Sequence, residues 1–172
     1  MKPEIEKDEI KATFWHPRRV ARIAIFIALA GVGALIKIPS PIGTIGLDSA
    51  PGYFSALAFQ PVTEGSIVAA MGHLLSAGVV GFPLGIPLHL FIAVQMAAYA
   101  AIYGWSARKI GIIPAIIIAS LLNGILASFT VLPVGGMGLV MSLIVPLTIT
   151  SAVNIVIAAI AHKIVGAGLG GK

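Results

Sequence analysis

His73 and His89 stand out among aliphatic neighbours, each followed by a leucine in His73-Leu74-Leu75 and Pro87-Leu88-His89-Leu90. An imidazole in such surroundings hydrogen-bonds to a neighbouring helix, contacts a bound small molecule or ligates a metal. Metal ligation is the weakest of the three, because no carboxylate or third histidine stands at ligand spacing. Acid–base catalysis by the pair would require a nucleophile or two carboxylates beside it, and neither accompanies it. Lys37 and Asp48 bracket a segment rich in Pro and Gly, and two compatible accounts apply to them. In one, Asp48 or Ser49 caps the following helix while Lys37 extends its stem to an interface. In the other, Lys37 and Asp48 line an outward-facing pocket rimmed by that segment. Gln95, Asn123 and Asn154 add neutral polar groups to apolar stretches. Each must face another helix or a cavity, because an unpaired buried amide is costly.

The elements that position these groups follow from charge. No Asp, Glu, Lys or Arg occurs in the 43 residues from Gly65 to Ala107, nor in the 53 from Ile110 to His162. A soluble domain of 172 residues must carry charge on its surface to stay dissolved. A helix crossing about 30 Å of hydrocarbon needs about 20 apolar residues, so each uncharged run suffices for two crossings. Hydrophobic residues at 58%, charged residues at 10% and a mean hydropathy of +1.04 agree with a membrane protein. One membrane domain is expected over residues 19–164, between an N-terminal segment 1–18 and a flexible glycine-rich tail 165–172.

An all-α bundle of six helices is expected. They run from about Arg19 to Ile38, Ser49 to Phe59, Gly65 to Ala77, Leu84 to Ser106, Ile110 to Leu132 and Gly138 to Ile164. Pro51 suits the first turn of the second helix, and Pro146 predicts a kink in the sixth. The long first connection, Pro39 to Gly46, cannot hold a helix. An even number of crossings places both termini, the turn at Phe59–Gly65 and Arg108-Lys109 on one side. Ten of the eleven Lys and Arg residues then face the cytoplasm and only Lys37 lies outside, as the positive-inside rule requires. Trp15 and Trp105 fall at the same interface. Glu64 falls in a cytoplasmic turn and reads as solvated.

Several classes drop out. The pI of about 9.8 is no sign of nucleic-acid binding, because the basic residues sit in terminal and inter-helix segments. Cysteine is absent, which removes disulfides, thiolate metal sites and cysteine nucleophiles. The N-terminus makes a poor signal peptide, since acids and bases are mixed through its first eighteen residues and only a short apolar run precedes Ala28-Leu29-Ala30. Gly166 to Lys172 satisfies G-x-x-x-x-G-K but lacks the following Ser/Thr and a helix to receive phosphate, so it reads as a flexible tail. No cofactor is expected.

Ala21, Ala24, Ala28 and Gly31 recur at spacings of three and four in the first helix, forming a stripe of small side chains. Such a stripe admits close approach of another helix, within the bundle or on a partner membrane protein. The six short helices, Ala24 and Ala28 as an A-x-x-x-A, the long first loop and the compact Gly/His-rich third helix together resemble the substrate-binding (S) component of an energy-coupling factor (ECF) vitamin transporter. The run Ile36 to Ser49, with Gly72-His73-Leu74-Leu75-Ser76 and Gly81-Phe82-Pro83-Leu84, is similar to the α-ribazole branch for cobalamin precursors. The resemblance covers most of residues 19–163. It implies a multi-pass subunit of a bacterial or archaeal plasma membrane that captures a vitamin-like molecule from outside. It also implies partners, a transmembrane coupling subunit and two cytoplasmic ATPases, with Ala24 and Ala28 matching the docking motif and the first loop closing over the ligand.

Polarity at membrane depth selects Lys37, Asp48, Ser49, Tyr53, His73, His89, Gln95, Asn123 and Asn154 as candidate contacts. A nucleoside-like ligand suits them, with Asp48 and the amides on ribose hydroxyls and Tyr53, Phe54 or Phe82 stacked on a base. Two other classes are weighed against the importer subunit: a small channel or structural membrane subunit, and an intramembrane enzyme using the histidines. Conductance, or a partner with no ligand at all, would mark the first, and turnover by the isolated chain the second.

Overall fold

The computed structural model describes residues 16–41 and 43–170, with side chains to 166. Helix α1 (Pro17–Gly33) leads into strands β1 (Lys37–Ser40) and β2 (Gly43–Gly46), then helices α2 (Ala50–Ala58), α3 (Thr63–Val79) and α4 (Ile86–Ile110). After α5 (Ile112–Leu121) come a π turn (Leu122–Leu126) and a 3-10 turn (Phe129–Val131), which lead into α6 (Leu132–Gly170). From Ile112 onward the backbone is interrupted most sharply at Gly136, whose φ of 63° and ψ of −171° are non-helical. Two helical runs, Ile86–Ile110 and Ile112–Gly166, are long and apolar enough to cross a membrane. Val94, Ile113 and Ile164 are more than 60% exposed, as suits side chains solvated by lipid.

The expected all-α class needs correction, because the first connection is a β-hairpin. Lys37 pairs with Gly46, Ile38 with Ile45, Pro39 with Thr44 and Ser40 with Gly43. Pro39 has no N–H to give, which an edge strand tolerates. A two-stranded hairpin is marginal alone, and this one is anchored by Leu47, whose N–H donates to the carbonyls of Gly33 (3.1 Å) and Ile36 (3.2 Å). That anchorage ends α1 at Gly33 rather than Ile38.

Other boundaries moved for local reasons. Arg108 and Lys109 lie in the last turn of α4, where cations complement the helix dipole, and the chain turns at Gly111 with φ 96°. The fifth helix stops at Leu121 instead of Leu132, with Asn123 in the π turn. The last helix continues to Gly170, beyond the expected end at Ile164, and contains Pro146. Trp105 is 58% exposed, one turn from Arg108, while Trp15 lies outside the described residues.

The short helix α2 is the hub. Its Tyr53 is fully buried edge-on to Tyr103, with ring centroids 5.3 Å apart, in a cluster that also takes Met96, Ala119 and Ile155. Gly65 of α3 and Gly104 of α4 both abut the backbone of Ala56, so three helices meet with no side chain between them. In lipid, where apolar burial drives little association, that intimacy supplies van der Waals attraction.

Glu64 overturns its reading as a solvated turn residue. It is 1% exposed in the first turn of α3, with Arg22 donating from Nη2 to Oε1 (2.6 Å) and from Nε to Oε2 (2.9 Å). Arg19 Nε lies 3.0 Å from Oε1, and the Arg22 guanidinium also stacks over Phe59 at 4.1 Å. This cluster ties α1 to α3.

Candidate functional site

A cavity of about 140 Å³ is enclosed by β2, α3, the α3–α4 turn, α4, the π turn and α6. Asp48, Ser49, His73, His89, Asn123 and Asn154 line it, brought together from five segments. Lys37, Tyr53 and Gln95 do not. Lys37 is exposed on β1 opposite Gly46. Tyr53 is absorbed by the core of the bundle. Gln95 accepts from Thr130 Oγ1 at 2.9 Å and so joins α4 to the 3-10 turn. Ser76, Thr150 and Ser151 line the cavity as well, and sequence reasoning passed over them. Helical spacing could have found them, since Ser76 stands three residues from His73 and the other two stand three and four from Asn154.

Asn154 holds the wall together. Its Oδ1 accepts from Ala50 N–H at 2.9 Å and its Nδ2 donates to Thr150 O at 3.0 Å. The first N–H of α2 is thereby satisfied by a side chain of α6, while Ser49, at the N-cap position, makes no side-chain cap bond. A tertiary contact has replaced the local cap.

His73 Nε2 and His89 Nδ1 are 3.1 Å apart, so the two rings share one hydrogen bond across α3 and α4. Leu84 N–H points at His89 Nε2 from 3.5 Å, which makes that nitrogen an acceptor. His89 then carries its proton on Nδ1 and donates it to His73 Nε2. Phe82, at φ 51°, packs edge-on to His89 with centroids 5.5 Å apart. Among the described residues no group of three or more metal-ligating side chains forms.

Asp48 stands on the loop between β2 and α2. Burial pushes its carboxyl up to about 6, against the opposing effect of donors from Ser76 and from the backbone of Asp48 and Ser49. In the unfolded chain the same group titrates near 3.8. The folded state therefore takes up this proton first as pH falls, so ionised Asp48 costs stability above about pH 6 and that cost fades toward pH 4. The expected result is that the parent gains thermal midpoint on an Asp48→Asn variant, by a few degrees, between pH 6.5 and 4.5. A gap independent of pH would show that Asp48 titrates normally.

The small-residue stripe of α1 divides. Ala21, Ala24 and Ala28 are exposed beside Ile25 and Leu29. Gly31 packs against α3 instead, where a Cβ would sit 2.8 Å from Leu75 Cδ2, so it serves the bundle and parts from the three exposed alanines.

A family model described as ECF transporter, substrate-specific component, matches residues 18–166. Comparison with curated proteins and with solved structures gives no match. The matched span contains the hairpin, every wall of the cavity and nearly all of the exposed apolar surface. A membrane-embedded, mostly helical chain with this match belongs to the ECF transporter substrate-specific components, which are importer subunits and not enzymes.

Proposed function

We propose that the cavity is the binding site for a vitamin or vitamin precursor, captured from outside and released inward when the subunit works with its partners. The observation that carries this reading is the convergence of ten polar side chains on one cavity beneath a hairpin, within an otherwise apolar bundle. A concave apolar site with a few convergent polar groups is the usual form of a small-molecule site. The chain crosses the membrane six times with both termini in the cytoplasm, supported by the bias of Lys and Arg. Asp48 and the hairpin then face outward, and the Arg22–Glu64 cluster faces the cytoplasm.

The best candidate ligand is α-ribazole or a related cobalamin precursor. The cavity is about the size of an engineered one of ~150 Å³ that holds benzene, so it admits one ring of the heteroaromatic base, and the rest of the ligand extends toward the hairpin. The ribose would lie against Thr44 to Gly46 on the hairpin, which moves to let the ligand pass. A thermal-shift screen of the purified chain tests this assignment, because a ligand bound at 100 times its Kd stabilises the fold by about 2.7 kcal/mol. A shift with riboflavin, biotin or thiamine and none with α-ribazole would reject the precursor and keep the importer.

The partners are the transmembrane coupling subunit and two cytoplasmic ATPases, with Ala21, Ala24 and Ala28 as the docking face. Ala28→Trp is expected to abolish uptake in cells while leaving ligand binding by the isolated subunit within twofold. Uptake at the parental rate would remove α1 from the docking surface.

A further inference from the structure

We infer that the ligand of this cavity carries no anionic group: it is a neutral or cationic molecule with a flat ring that presents hydroxyl or amine donors to Asp48. The inference rests on the cavity being the substrate site. Among the described residues no Lys or Arg lines the cavity, and Asp48 is its one carboxylate. The exposed Lys37 sits outside on β1.

The histidines do not supply the missing positive charge. A second proton on His89 would lie on Nε2 and confront the Leu84 N–H. A second proton on His73 would lie on Nε2 and confront the proton that His89 donates. Both arrangements place donor against donor, which disfavours a second proton on either ring. A phosphate or carboxylate entering here would lose its hydration, meet no cation and face Asp48. An anion taken from water without a partner loses its hydration uncompensated, and the like charge adds to that cost.

A donor-rich ligand reverses each of these terms. Asp48 already accepts from Ser76 and from backbone N–H groups, and a carboxylate has about four acceptor sites, so it can take one donor more. The apolar part of the lining, Leu84, Ile92, Met96 and Leu143, accepts a flat ring without polar demand.

Matched pairs that differ only in an anionic group test the inference by equilibrium binding to the full chain in nanodiscs. The pairs are α-ribazole and its 5′-phosphate, thiamine and its monophosphate, riboflavin and its 5′-phosphate, and nicotinamide and nicotinate. In every pair that binds, the uncharged or cationic member is expected to bind at least 100-fold tighter. Asp48→Asn is expected to weaken that member at least tenfold, and discrimination by the unaltered chain carries the test if the variant fails to fold. Equal or tighter binding of an anionic member overturns this inference and leaves the importer subunit standing. Binding of biotin, which carries a carboxylate, overturns this inference too, and absence of binding by biotin and by either member of all four pairs overturns both.

Discussion

Replacing Arg19 and Arg22 together by Met should be among the most destabilising changes this chain can suffer, and replacing Glu64 by Leu as well should recover most of the loss. The double change leaves a carboxylate that is 1% exposed with no cation beside it. Breaking a buried pair from one side in this way costs about 3–5 kcal/mol, whereas replacing all members with apolar groups is often neutral. Removing the acid alone is milder. With Glu64→Gln, Arg22, whose side chain is 39% exposed, can turn to solvent, and Arg19, 11% exposed, keeps Thr63 Oγ1 as a partner at 3.0 Å, so the loss should stay below that of the double arginine change. Thermal unfolding of the four proteins in detergent decides the matter. Equal and small losses for the single acid and double arginine changes would mean that Glu64 is solvated after all. The cluster also joins α1, with its exposed alanines, to α3, which carries His73 and Ser76, so the double variant should lose ligand affinity along with stability.

Gly65→Ala is the second large effect. A Cβ at Gly65 would overlap Cα, N and Cβ of Ala56, and two of those three are backbone atoms that no rotamer change can move aside. The helices must separate, and overpacking of this kind costs about 1–3 kcal/mol. Because α2 begins beside Ser49 and Asp48, the displacement also reaches the cavity wall, and ligand affinity should fall at least tenfold. Gly138→Ala is the control, since nothing lies within 4 Å of its added methyl and Ala is favoured over Gly by about 1 kcal/mol in helices. Should Gly65→Ala match Gly138→Ala in thermal midpoint, the close approach of α2 and α3 is not needed.

Much of the architecture was legible in the chain because its cause is local. Two uncharged tracts can be solvated only by lipid, and Pro and Gly mark most of the connections, so the first four helical segments emerged to within about five residues, while the last two did not because the chain from Ile112 stays helical through π and 3-10 turns. Six of the nine candidate contacts line one cavity for a related reason: a polar side chain at membrane depth has few places to go. The same argument failed for Tyr53 and Gln95, whose polar groups reach a buried aromatic cluster and Thr130 instead. Polarity states that a partner is needed and is silent about which.

What composition and spacing determined was therefore the solvent of this protein, its helical segments and the set of side chains that must avoid lipid. Only the tertiary structure decided their partners. Glu64 found Arg22 across 42 residues, Asn154 capped a helix 104 residues upstream, and the Pro-rich connection became a hairpin once Leu47 reached back to Gly33. These are contacts between groups distant in the chain. Their energy depends on distance in space, which no window of sequence contains.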